Sequence, residues 1–118
     1  MTSAPTTLAA MTPISAQIWD MKYRLKAAEG SVRDKTVSDS WRRVADALAA
    51  PEADKEHWQV KFYEALEGFS FLPAGRILAG AGTDRDVTLF NCFVMGRVPD
   101  DMAGIFDQLK EAALTMQQ

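Results

Sequence analysis

The chain has 118 residues, 47% hydrophobic and 25% charged, with a net charge of −3. That is the composition of one soluble globular unit with a modest core. No Lys/Arg block supplies a nucleic-acid-binding face, no apolar run approaches a bilayer span, and a single cysteine excludes an internal disulfide.

Residues 1–12 read as a disordered tail, with neither the basic start nor the apolar length of a signal peptide. The cytoplasm is the expected compartment. A helical region is expected over residues 13–68. Thr12 can cap the first helix and Pro13 suits its first position. Ile14, Ile18, Met21 and Leu25 follow helical spacing, and Gly30 is the expected stop. The second helix places Val37, Trp41, Val44 and Leu48 on one face and ends before Pro51. The third runs from about Asp54 to Leu66, with Trp58, Phe62, Ala65 and Leu66 on one side and Gly68 as the stop. Trp41 and Trp58 are expected in the core. His57 beside Glu56 reads as a surface residue.

A long loop is expected next, carrying Gly68, Pro73, Gly75, Gly80 and Gly82. Long loops are uncommon unless functional. "GRILAGAGT" approaches phosphate-loop spacing through Gly75, Gly80, Gly82 and Thr83. The lysine is missing, and the segment leads into a strand rather than following one. A glycine-rich turn whose backbone N–H groups meet an anion stays open. "VTLFNCFVM" favours strand, apolar on both faces as in a covered sheet. The chain offers it no second strand. Cys92 within it is either a small buried hydrophobe or part of a pocket wall. Asn91, polar in an apolar run, requires a hydrogen-bond partner and points to the pocket. The last helix is capped by Asp100 or Asp101. Met102, Ile105, Phe106, Leu109, Ala112, Ala113 and Met116 form its broad apolar stripe. It has no stop signal, and with the unpartnered strand this gives the expectation of the front piece of a larger protein. No Cys/His cluster offers a metal site.

Three blocks, "FLPAGRILAGAGT", "TLFNCFVM" and "GIFDQLKEAALTMQQ", are together similar to the N-terminal part of the class II, adenosylcobalamin-dependent ribonucleotide reductases. "PISAQIWDMKYRL" and "VSDSWRRVADALA" resemble the helical region ahead of that core. The resemblance covers residues 13–118. It implies a mainly α chain: an N-terminal helical region leading into the first strand and following helix of a ten-stranded α/β barrel, with residues 69–118 as the start of that barrel.

The family replaces the 2′-hydroxyl of a ribonucleotide with hydrogen. Cobalt–carbon homolysis starts the reaction, a thiyl radical takes the 3′ hydrogen, and two further thiols close into a disulfide. By resemblance Cys92 is one thiol of that redox pair. Asn91 beside it is expected to help line the substrate site, and the loop Pro73–Thr83, whose glycines allow close backbone approach and which leads into the Cys92 segment, is expected to meet the substrate phosphates through Gly75 and Arg76. The thiyl-radical cysteine, the partner of Cys92 and the cobalamin contacts lie downstream in the family. The implied partners are a ribonucleotide substrate, the rest of the reductase, a thioredoxin-type reductant and a second copy in a homodimer. Two rival readings stand beside it: a stand-alone helical interaction module, and a truncated regulator of the full-length reductase.

Overall fold

The computed structural model describes residues 11–117, so most of the expected tail lies outside the described residues. Met11 packs against the core and Thr12 caps the first helix. The chain forms α1 (Pro13–Ile18), a π-helical turn (Trp19–Tyr23), α2 (Val37–Ala49), α3 (Lys55–Leu66), α4 (Gly75–Gly80) and α5 (Met102–Met116).

The first helix does not run to Gly30. It widens into the π-helical turn and stops where Arg24 turns extended. That turn inserts extra backbone into the helical repeat, so the spacing read from the sequence slips out of register. Met21 within the turn lies exposed, as do Ile14 and Ile18 ahead of it, and Trp19 at its start is buried instead. The chain then folds back in a tight antiparallel excursion, with Ala27 N–H bonded to the Ser31 carbonyl and Arg33 N–H to that of Leu25. Gly30 sits in this turn rather than at a helix end.

Helix α2 follows its pattern closely. Thr36 and Asp39 form a capping box: Thr36 Oγ1 accepts from the Asp39 N–H and Asp39 Oδ2 from the Thr36 N–H. Val37, Trp41, Val44 and Ala45 are buried and face Leu66 of α3 and Ala81 just after α4. Trp58 departs from expectation. It is 39% exposed, resting on His57 and Phe62 at the rim of α3. Phe62 packs partly against the core, and His57 is on the surface as expected. After Gly68, Phe69 takes a left-handed backbone (φ 61°) and sets its ring edge-on to Trp41 at 5.1 Å.

Two further expectations are corrected. The glycine-rich stretch is not a continuous loop, because residues 75–80 close into α4. "VTLFNCFVM" does not form a strand, and no extended strand occurs among the described residues. A strand's N–H and C=O groups need a neighbouring strand to bond, and none is at hand. From Phe90 to Asp101 the chain is exposed.

Pro99 then packs tightly against Gly104 at the start of α5, which is capped by Asp101. Met102, Phe106 and Leu109 on α5 are 60–71% exposed. The radius of gyration is 18.4 Å, against about 13.5 Å for a compact domain of this length. The excess reflects this outlying C-terminal portion.

Candidate functional site

The helical region is held together by a polar group that no sequence pattern announced. Asp34 is buried, and its Oδ2 accepts hydrogen bonds from the Leu25 N–H (3.1 Å), Ser40 Oγ (2.7 Å) and Arg43 Nε (3.2 Å). Ser40 Oγ in turn accepts from Trp19 Nε1 at 3.0 Å. Arg43 completes the set. Its Nη2 donates to the carbonyls of Tyr23 (3.1 Å) and Leu78 (3.0 Å), and its Nη1 donates to the carbonyl of Ala81. The Asp34 and Arg43 side chains are only 6% and 9% exposed. A buried ion pair is tolerated where further hydrogen bonds share its charges, and here Asp34 Oδ2 and all three guanidinium nitrogens of Arg43 are hydrogen-bonded.

On the other side of this group lies an open cleft of about 370 Å³. One wall is the π-helical turn, through Lys22 and Tyr23. The other is α4, through Gly75, Arg76 and Ala79, with Arg85 at the edge. The two walls come close at Gly75, where a Cβ would stand 3.0 Å from the Tyr23 hydroxyl.

Three cationic side chains share the cleft. Lys22 and Arg85 are exposed and Arg76 is half-buried. The nearby Asp20 carboxylate is occupied elsewhere. Hydrogen bonds from Arg24 and then Lys26 hold its pKa below the usual carboxylate value. The cleft is therefore suited to a phosphate-bearing anion.

Of the residues singled out from the sequence, Gly75 and Arg76 are brought together in this cleft, and Asn91 and Cys92 are not. Both of the latter are exposed in the irregular stretch after Leu89. The two sets are nevertheless tethered. Arg76 Nη1 donates to the carbonyl and Oγ1 of Thr88 at 3.3 and 3.2 Å. Cys92 follows Thr88 by four residues, which reach at most ~14 Å when extended.

Sequence reasoning missed Lys22, Arg85 and the Asp34–Arg43 pair. The available signal was in α2: Arg43 lies three residues after buried Ser40 and four before half-buried Ala47, on the margin of the apolar stripe. Among the described residues no group of His, Cys, Asp or Glu is placed to hold a metal ion, and no helix is long and apolar enough to cross a membrane.

The described fold is a helical region closed by a short glycine-rich helix, with a cationic cleft between them. Residues 9–86 match the family described as "Ribonucleotide reductase, all-alpha domain". The chain belongs to the ribonucleotide reductase family. Its relatives include proteins named ribonucleoside-diphosphate reductase subunit alpha. The one from Chlamydia muridarum is 35% identical over 74 residues, covering 63% of this chain and 7% of that protein. The one from Helicobacter pylori strain 26695 is 38% identical over 71 residues, covering 60% and 9%. The one from Chlamydia pneumoniae is 32% identical over 83 residues, covering 70% and 8%. The chain thus spans less than a tenth of the length of these curated relatives. No solved structure matches it.

Proposed function

We propose that this chain forms the N-terminal helical region and the entry to the catalytic domain of an adenosylcobalamin-dependent ribonucleoside-diphosphate reductase of the cytoplasm. The observation that carries the reading is the cationic cleft at α4, in a chain matched to the reductase all-alpha domain and tethered within four residues of its one cysteine. The reaction-class assignment rests on the resemblance of "FLPAGRILAGAGT" and "TLFNCFVM".

In this reading the phosphates of a ribonucleotide enter the cleft. Lys22, Arg76 and Arg85 neutralise them, and Gly75 lets the backbone come close. Cys92 acts on the sugar with a second thiol of the reductase. The two thiols give up two electrons and two protons and form one S–S bond. The C2′–O bond breaks, hydrogen takes its place on C2′, and the oxygen leaves as water. A thioredoxin-type dithiol then reduces the disulfide by exchange. Asn91 lines the sugar side.

Among the described residues no group of His, Cys, Asp or Glu is placed to ligate cobalt. In the proposed enzyme adenosylcobalamin supplies the initiating radical and is held by other residues of the reductase. A homodimer is the proposed assembly.

The test is made on the reductase encoded by the reading frame that carries these residues. It should reduce ribonucleoside diphosphates only when supplied with adenosylcobalamin and a dithiol. Reduction that ignores adenosylcobalamin and needs a second, radical-generating subunit would move the chain to another reductase class. Cys92→Ser should abolish multiple turnover with a thioredoxin-type reductant and leave cobalt–carbon cleavage intact. Normal turnover in that variant removes Cys92 from the redox pair.

A further inference from the structure

We propose that Arg43 is a positioning residue for substrate phosphate binding, fixing both walls of the cleft from behind; the proposal rests on the cleft's assignment to substrate above. Helix α4 has six residues, or about 9 Å of length. A helix that short has little stability of its own, and its N-cap residue, Ala74, makes no side-chain hydrogen bond. Its placement must come from tertiary contacts.

Arg43 supplies them at the end opposite Gly75. It bonds the carbonyls of Leu78 and Ala81 at the C-terminal end of α4, where helix carbonyls have no partner of their own. The positive charge also complements the negative end of the helix. The same guanidinium bonds the carbonyl of Tyr23, in the facing wall. Asp34 aims it, and Asp34 is itself anchored by Leu25 and Ser40.

One rigid planar group therefore sets the distance between Lys22–Tyr23 and Gly75–Arg76 without touching anything in the cleft. Lysine keeps the charge but lacks the fork, so it cannot span three carbonyls and a carboxylate together.

The experiment compares Arg43→Lys, Asp34→Asn and Val44→Ala in the full-length reductase. Val44 is wholly buried one residue along the same helix, packs in the shared core and makes none of the hydrogen bonds to the cleft walls, so its truncation controls for lost packing and stability. Arg43→Lys should raise the KM for the ribonucleotide about tenfold or more, with kcat changed less than about twofold. Asp34→Asn should shift KM the same way by less, and it serves if Arg43→Lys fails to fold. Hydrogen exchange at the α4 amides should quicken in both variants while α3 stays protected. In Val44→Ala, KM should hold.

An unchanged KM with unchanged α4 exchange in an active enzyme overturns the proposal. So does an equal rise in KM in Val44→Ala, which would make Arg43 merely structural. A parent enzyme that reduces no ribonucleotide overturns the functional reading first and this proposal with it.

Discussion

At Gly82 the backbone runs at φ +71°, and a Cβ there would lie 2.8 Å from Arg43 Cγ and 2.9 Å from the Arg43 carbonyl oxygen. The residue must be glycine on both counts: the left-handed conformation disfavours any side chain, and the contact is with backbone that cannot swing aside. Gly82→Ala should destabilise the chain by at least about 1 kcal/mol, read as a lower midpoint in urea. An unchanged midpoint would show that the turn relaxes away from Arg43. Glycine-rich spacing at this point was visible in the sequence, but its cause was not. The pattern only approached phosphate-loop spacing, without the lysine or the preceding strand, and left an anion-binding turn open, whereas the glycine serves close packing on α2. Asp34 and Arg43 were equally opaque, because a charged residue looks alike in sequence whether it is solvated or buried with partners. Only the meeting of residues 38 positions apart, Arg43 and Ala81, distinguishes the two.

Among the elements, α2 was the most legible. Its apolar spacing, its cap and its end all follow local rules, and its capping box can be tested directly. Thr36→Ala removes the acceptor for the Asp39 N–H and should cost about 1 kcal/mol, with a lower urea midpoint and an unaltered m-value. A loss below a few tenths of a kcal/mol would mean that water replaces the cap freely. Helices α3 and α5 were legible for the same reason of periodicity. The first helix was not, because a π-helical turn leaves no mark in residue spacing and displaces each position after it. Helix α4 was hidden by its glycines, which weaken helix propensity. It forms because Arg43 and the buried Ala81 hold its end. The strand around Cys92 fails in the opposite way. Its residue preferences are correct for a strand, but β structure is a property of pairs, and this chain supplies one member.

For the molecule as a whole, order is concentrated where α2, α3 and α4 share a core. In the 118-residue chain, amides of α2 and α3 should exchange at least about a hundredfold more slowly than those of residues 88–100, which have no helix or strand hydrogen bonds. Equal protection in a monomer would favour a stand-alone module with the Cys92 segment packed. The opposite end of the molecule, with Phe106 and Leu109 turned to solvent, should contribute little to any cooperative transition. The charge pairs also divide by depth. The Lys61–Glu64 and Lys26–Asp20 pairs are 38–58% exposed, so mobile ions reach them, and at physiological ionic strength the screening length is about 8 Å. Asp34 and Arg43 are beyond that reach. Added salt therefore loosens the rim of the molecule while the tie between α2 and α4 keeps its strength, and the spacing of the cleft walls becomes insensitive to the ionic composition around it.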